Sequence, residues 1–465
     1  MIRASTWPAA TANNVGTGRE YPARLIYLLL LLGFSAGCRG TAPREETAAR
    51  KEMAAVAQEI TAPLPPLTTN STLADSVRFA VRNHPGVWAA YADWRAAVEN
   101  ITVARSLPDP KLTFEFYAAD ALTSLMPGLS EEWPGPGKRA ARAAEASAES
   151  RVKYWRFEAA ALNTAFEVEE TFYPLSYLDA RLAVNRRNLD LLTRLESLAR
   201  TQNTVGQATL QDVLRAQIEE EKLRKETASL VDSRGMLLAR FKSALGLASG
   251  QPDPPVPPRP VFAELPQNDE SLLRTALNQN AQLKELEAEV GVAEASIRVA
   301  AKERTPDFST GLEVDAKAAP AVWNPQFSMT LPIWRDKLAA ELASAQAGRQ
   351  AAQARLSAAQ IDLVASFAEQ AWLIRDANRE LDLLQLQLLP MASQALQLAQ
   401  SAYQSGRTDF LNVIESERAL LDFQLDEIAA ESQRAVARAR LVTLIAGQPP
   451  QRSPLPDAAG HAPTP

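Results

Sequence analysis

The chain has 465 residues, 46% of them apolar but only 6% aromatic, and a formal net charge of −6. A mixture rich in Ala, Leu, Gln, Glu and Arg favours long helices over an aromatic core, and nothing in it forms the clustered basic face that nucleic acid requires. Two histidines, His84 and His461, and one cysteine exclude a zinc or disulfide framework; no nucleophile, base and orienting group occur together, so neither a cofactor nor an enzymatic activity is expected.

Residues 25–34 read "LIYLLLLLGF", preceded by Arg19 and Arg24 and followed by "SAGC". A basic flank, a ten-residue apolar run and small residues make a secretory signal over residues 1–37, too short to span a bilayer. Small residues directly before Cys38 resemble the lipobox of bacterial lipoproteins, with Ser35 where leucine is usual. Lipidation at Cys38 is the favoured reading, and a plain signal peptide with an incidental cysteine is its competitor. Either way the protein leaves the cytoplasm. Residues 38–72, with the proline cluster "TAPLPPLTTNST", are expected to form an extended tether.

From Leu73 the chain divides into two tandem copies, residues 73–249 and 270–448, separated by a proline-rich linker at 250–269 and followed by a disordered tail at 449–465. "AVRNHPGV" from Ala80 aligns with "ALNQNAQL" from Ala276 at an offset of 196, and Pro110 falls on Pro306 at the same offset. Farther on, "NTVGQATLQDVL" aligns with "QSGRTDFLNVI", so that Gly206 falls on Gly406 at an offset of 200. A fixed order of landmarks with slowly drifting offset indicates duplication.

Each copy opens with a helix, about Leu73 to Arg105 and about Glu270 to Arg304. Strands follow. Leu112, Phe114 and Phe116 alternate with polar neighbours, as do Leu312 and Val314, then Phe327, Met329 and Leu331; the run near Leu129 to Trp133 is weaker. Next come very long helices, about Lys138 to Thr204 and Lys337 to Gln404, each on the order of 100 Å and each interrupted by one proline, Pro174 or Pro390. A glycine turn ends each. The return helices repeat apolar residues every seven positions, at Ala216, Leu223, Leu230, Leu237 and Ala244, then Ile414, Leu421, Ile428, Ala435 and Val442, the mark of coiled-coil packing.

Some motifs can be set aside. "GPGKRA" lacks the first glycine and the Ser or Thr of a phosphate loop, and reads instead as the corner where a strand enters a helix. His84, alone near a helix start, reads as structural.

Four strands cannot close a barrel, and open strand edges cannot sit in lipid. Either several chains share one barrel, or the strands form a small soluble sheet capping a coiled coil. At this point "WPGPGKRAAR" and "LLPMASQALQLAQSAYQSGRTDFLNVIESERALL", with the duplicated order of parts over residues 73–448, resemble the TolC-type outer-membrane efflux channels. The resemblance implies a mainly α fold with a small membrane β-barrel: a homotrimer sharing twelve strands in the outer membrane above a helical tunnel in the periplasm. It also implies a periplasmic adaptor and an inner-membrane transporter as partners, and outer-membrane lipid against Leu112, Phe114, Phe116, Leu312, Val314, Phe327, Met329 and Leu331. Gly206 and Gly406 resemble the family's periplasmic tips, which meet the adaptor.

The same resemblance assigns a gate. Tyr403 and Asp212 match a tyrosine–aspartate link between neighbouring helices. Asn412 and Glu415 match positions where two aspartates of each chain form carboxylate rings across the pore. Arg407 lies one residue before the family's usual arginine, whose place Thr408 takes. A passive conduit of a tripartite efflux pump is therefore expected. Its rivals are a lipid-anchored coiled-coil scaffold without a pore and, less well matched, a periplasmic adaptor. The exported substrate is not legible, since six methionines and two histidines supply no metal-binding lining.

Overall fold

A computed structural model of the protein describes residues 44–63, 66–118, 122–259, 269–315, 318 and 320–445. The signal segment, Cys38 and the tail at 449–465 lie outside the described residues.

The first element corrects the expected tether. Helix α1 (Arg44–Thr61) lies between Pro43 and Pro63, and its Ala, Glu, Met and Gln residues are good helix formers. It packs on the rest of the chain through Met53, Val56 and Ile60, which join Val87, Tyr91, Trp94, Val98 and Phe157 in one cluster. A buried carboxylate fixes its start. Glu46 Oε1 accepts from Thr102 Oγ1 at 2.7 Å and Arg50 Nε at 3.1 Å, and its Oε2 from Arg105 Nε at 2.7 Å. Burial alone would raise its pKa, but those three donors outweigh burial and hold it below the usual carboxylate range.

Each copy then opens with two helices rather than one. In the first they are α2 (Leu73–Asn83) and α3 (Pro85–Arg105), and in the second α6 (Asp269–Gln279) and α7 (Ala281–Lys302). His84 (φ −69°, ψ 126°) and Asn280 (φ −55°, ψ 125°) are the matching break residues, 196 positions apart. Pro85 disfavours helical backbone at His84, whose Nδ1 accepts from Gly86 N at 3.1 Å; Asn280 Oδ1 accepts from Leu283 N at 3.1 Å. His84 is thus a helix cap.

Strands β1 (Lys111–Ala118) and β2 (Leu122–Trp133) follow α3, and β3 (Phe308–Asp315) and β4 (Val322–Met329) follow α7. They form one antiparallel sheet in the order β1-β2-β3-β4. The long helix α4 (Lys138–Thr204) descends to the first turn and α5 (Leu210–Ala244) returns. In the second copy α8 (Arg335–Leu383), a π-helical turn (Leu384–Leu388) and α9 (Leu389–Gln404) descend, and α10 (Phe410–Leu444) returns. The two prolines differ in effect. Pro174 sits inside an unbroken α4, within the best-packed cluster, beside Phe172, Tyr173 and Leu175. Before Pro390 the ladder slips by one residue, and Leu389 N donates to Leu384 O.

Near the sheet the helices lie side by side as α3, α4, α7 and α8; toward the tips the order is α5, α4, α10, then α8 and α9. Thus α4 runs the full length, as α8 and α9 do together, while α3 stacks above α5 and α7 above α10. The joints are hydrogen-bonded alike. Asn83 Nδ2 donates to Leu245 O at 3.1 Å, and Asn280 Nδ2 donates to Leu444 O at 3.1 Å. The expected heptad residues line the packed face: Ala216, Leu223, Ala244, Ile414, Ile428 and Ala435 are buried, the others half-buried.

The two copies are also tied at the sheet. Lys138, at the head of α4, is buried, and its Nζ donates to Glu303 at 3.0 Å and Asp307 at 2.9 Å, while Gly135 N donates to Asp307 Oδ1 at 2.7 Å. Burial would lower the lysine's pKa, but the two carboxylates raise it above its ordinary value.

Gly246 ends α5 with φ 71°, and a Cβ there would meet His84 Cα at 2.8 Å. Gly206 has φ 77° with open space around it. Gly206→Ala should therefore cost only the left-handed strain, about 1–2 kcal/mol. Gly246→Ala should cost about 1–3 kcal/mol more through overpacking. Denaturant midpoints of the two variants check the ranking.

Candidate functional site

Two regions carry the expected site residues: the faces of the sheet and the helical tips. Cross-strand partners share a face, so the register sorts the sheet directly. Leu112 pairs with Leu129, Leu129 with Leu312 and Leu312 with Pro325; Phe114 pairs with Pro127, Thr310 with Phe327, Phe308 with Met329 and Val314 with Trp323. That face is apolar but for the pair Glu131 and Thr310. The other carries Lys111, Ser130, Gly311 and Gln326 in one row, Thr113, Gly128, Glu313 and Asn324 in the next, then Glu132, Ser309 and Ser328. Leu112, Phe114, Phe116, Leu129, Leu312, Trp323, Phe327 and Met329 are exposed, with Phe327 70% accessible. Such a patch in water is far outside what soluble proteins present. Among the described residues no helix is long and apolar enough to cross a membrane.

All seven expected strand residues on β1, β3 and β4 lie on the apolar face; the eighth, Leu331, does not belong to a strand. β4 ends at Met329, Thr330 N closes on Asp307 O at 2.9 Å, and Pro332 turns the chain toward α8. The sequence reading also missed much of β2. Leu125, Pro127 and Leu129 alternate with period two, but Met126 and the Pro-Gly pair between them masked the signal. The outer edges of β1 and β4 have no partner strand among the described residues.

At the tips both long helices end in the same motif. Gly206 N donates to Asn203 O at 3.1 Å and Gln207 N to Gln202 O at 2.8 Å; Gly406 N donates to Tyr403 O at 3.0 Å and Arg407 N to Ala402 O at 2.8 Å. These paired bonds need a left-handed residue after the helix, which is why glycine occupies both places. Both glycines are exposed.

The five expected gate residues are near the tips but are not joined in one chain. Asp212 accepts from Thr209 N and Oγ1, both at 3.1 Å, in a capping box that starts α5. Tyr403 is buried against Phe410, its ring 5.1 Å away, and its Oη has no hydrogen-bond partner among the described residues. Burial pushes the Tyr403 phenol up, and the Asp212 charge adds to the shift. Arg407 Nε donates to Ser405 Oγ at 2.8 Å, Asn412 Nδ2 donates to Thr408 Oγ1 at 2.6 Å, and Glu415 is exposed. Sequence reasoning passed over a firmer link. Arg418 Nε donates to Glu219 Oε2 at 3.0 Å and its Nη2 to Oε1, joining α10 to α5 across the two copies. Its signal was an Arg in one return helix and a Glu in the other, 199 residues apart.

Residues 272–447 match the family described as outer membrane efflux protein. That stretch is nearly the whole of the second copy, and it is similar to the outer membrane efflux proteins. Solved structures share the fold over most of its length. The outer membrane protein VceC of Vibrio cholerae is 17% identical with a TM-score of 0.67, over 81% of this chain and 96% of that one. A membrane protein of Pseudomonas aeruginosa is 19% identical with a TM-score of 0.70, over 83% and 93%. The MtrE outer membrane channel of Neisseria gonorrhoeae, in its open state, is 18% identical with a TM-score of 0.68, over 81% and 89%. No curated protein matches the chain by sequence. The first copy lies outside the matched residues, yet it repeats the order of parts of the second, with α4 unbroken where α8, the π-helical turn and α9 stand.

The Glu219–Arg418 link is only half sheltered, so solvent screening limits its worth. A double-mutant cycle with Glu219→Gln and Arg418→Met should return a coupling of about 1 kcal/mol, larger at low salt than at high salt.

Proposed function

We propose that this protein is the outer-membrane channel of a tripartite export pump, a passive conduit through which cargo passes to the exterior. The observation that carries the reading is the two-faced sheet: one exposed apolar face, one polar face and two unpaired edges. Lipid accepts no open edge, so the β1 edge of one copy has to pair with the β4 edge of the next. Three copies of four strands give twelve, within the range of membrane barrels, with apolar side chains toward lipid and polar ones toward the lumen. The homotrimer then continues below as a tunnel of long helices in the periplasm, ending in six tips. Gly206 and Gly406 mark the surface offered to a periplasmic adaptor, which links the channel to an inner-membrane transporter. Tyr403, Asp212, Arg407, Asn412 and Glu415 are candidates for the gate, acting between neighbouring chains. Glu415 supplies a ring of three negative charges that would attract cations, while Asn412 supplies none.

A pore-free scaffold has no use for Phe114, Phe116 and Phe327 on one exposed face. Phe114→Arg or Phe116→Arg should therefore block assembly in the outer membrane and abolish conductance in planar lipid bilayers, at up to about 2–4 kcal/mol per charge, the cost at the midplane. Normal membrane fractionation of both variants would refute the barrel.

Anchoring at Cys38 belongs to the same proposal. Cells fed a labelled fatty acid should label the wild-type protein and leave Cys38→Ala unlabelled, and the variant should still form pores because the sheet supplies the membrane contact.

A further inference from the structure

Just above the tips the helices shelter four carboxylates, and three of them are held. Glu196 of α4 accepts from Gln217 Nε2 at 2.9 Å and Arg200 at 2.5 Å. Glu219 takes both arms of Arg418, and Glu220 accepts from Thr193 at 2.9 Å and Arg224 at 2.5 Å. The fourth is Glu417 of α10. It is 1% exposed, and its buried Oε1 has no partner among the described residues. A buried carboxylate in that condition is costly to ionise.

The duplication shows how this arose. At the 200-residue offset Glu417 falls on Gln217, which donates to Glu196; the second copy has Leu396 where Glu196 stands. The acid has changed helices and lost its amide partner. It is also enclosed more deeply, because α10 is flanked by α4 on one side and by α8 and α9 on the other, whereas α5 lies at the edge of the layer. The next residue, Arg418, is already engaged by Glu219.

We propose that Glu417 is a proton-binding site that couples the packing of α10 above the tips to pH. With the proton bound, α10 stays packed against α4, α5 and α9; with it released, α10 parts from them and the tips loosen. The surroundings agree with this. Burial first, and then the Glu219 charge, push the Glu417 carboxyl up to about 7; Asp422 on its own helix pushes the same way, and Arg418 opposes. The tip core of α4 and α9 adds Leu192, Leu195, Leu396 and the Tyr403 phenol, while the Glu196 carboxylate is occupied by Arg200 and Gln217.

The packed state binds the proton more tightly than the loosened one. Its advantage is therefore complete below the ordinary value of 4.5 and is lost as pH rises to about 7. Each unit of separation is worth about tenfold in that equilibrium.

The test compares full-length wild type with Glu417→Gln, which keeps the shape and removes the titration. Hydrogen exchange over residues 396–423, corrected for the intrinsic pH effect, should lose about tenfold or more of its protection in wild type between pH 5.5 and pH 8. It should stay constant in Glu417→Gln. Glu417→Leu, which suits the same apolar setting, should behave likewise and serves if the first variant misfolds. Equal pH responses in wild type and variants, or a flat wild type, would overturn the site. Conductance in planar bilayers rests on the channel reading: wild type should open more at pH 8 and the variants should not. Absence of all conductance would count against the channel, leaving exchange to decide on Glu417.

Discussion

The backbone of a strand edge cannot be left without hydrogen-bond partners in lipid, and on the channel reading that constraint organises the whole chain. One copy of the duplicated unit brings two strands to the sheet, and two copies bring four, with apolar residues on one face and polar ones on the other. Among the described residues nothing covers the apolar face or the two edges. The helices follow from this arrangement. If identical chains complete the sheet in a ring, each must also present a ring segment below it, which is what a single curved layer of long helices provides.

Within the chain, polar contacts tie the two copies together along their length, three of them at the sheet, at mid-length and near the tips. Lys138 joins the first corner to Glu303 and Asp307 beside the sheet. At mid-length Arg259, in the described part of the linker, lies over the Tyr177 ring at 4.2 Å and reaches Ser176 and Glu431. Near the tips Arg418 reaches Glu219. All three join groups far apart in sequence. Apolar packing fills the space between them, so the polar contacts set register while burial supplies most of the stability.

How much of this could be read in the sequence depended on how local the signal was. The long helix Lys138–Thr204, the glycine turns and the alternation in β1 rest on spacing within a few residues, and the structure has them where the spacing put them. The breaks at His84 and Asn280 were written as Pro85 and as a capping Asn, but an otherwise continuous apolar pattern hid them. Helix α1 was lost because a proline cluster beginning at Pro63 coloured the reading of the residues before it. The Arg418–Glu219 link and the enclosure of Glu417 depend on which helices become neighbours. Periodicity along one helix cannot report that.

The stacked joints have a mechanical consequence. Because α3 begins where α5 ends, and α7 where α10 ends, only α4 and the column of α8 and α9 run without a joint between the sheet and the lower end. Two of every four struts are therefore butt-jointed at mid-height. Torsion applied at the bottom therefore reaches the sheet through unjointed helix in half of the columns alone.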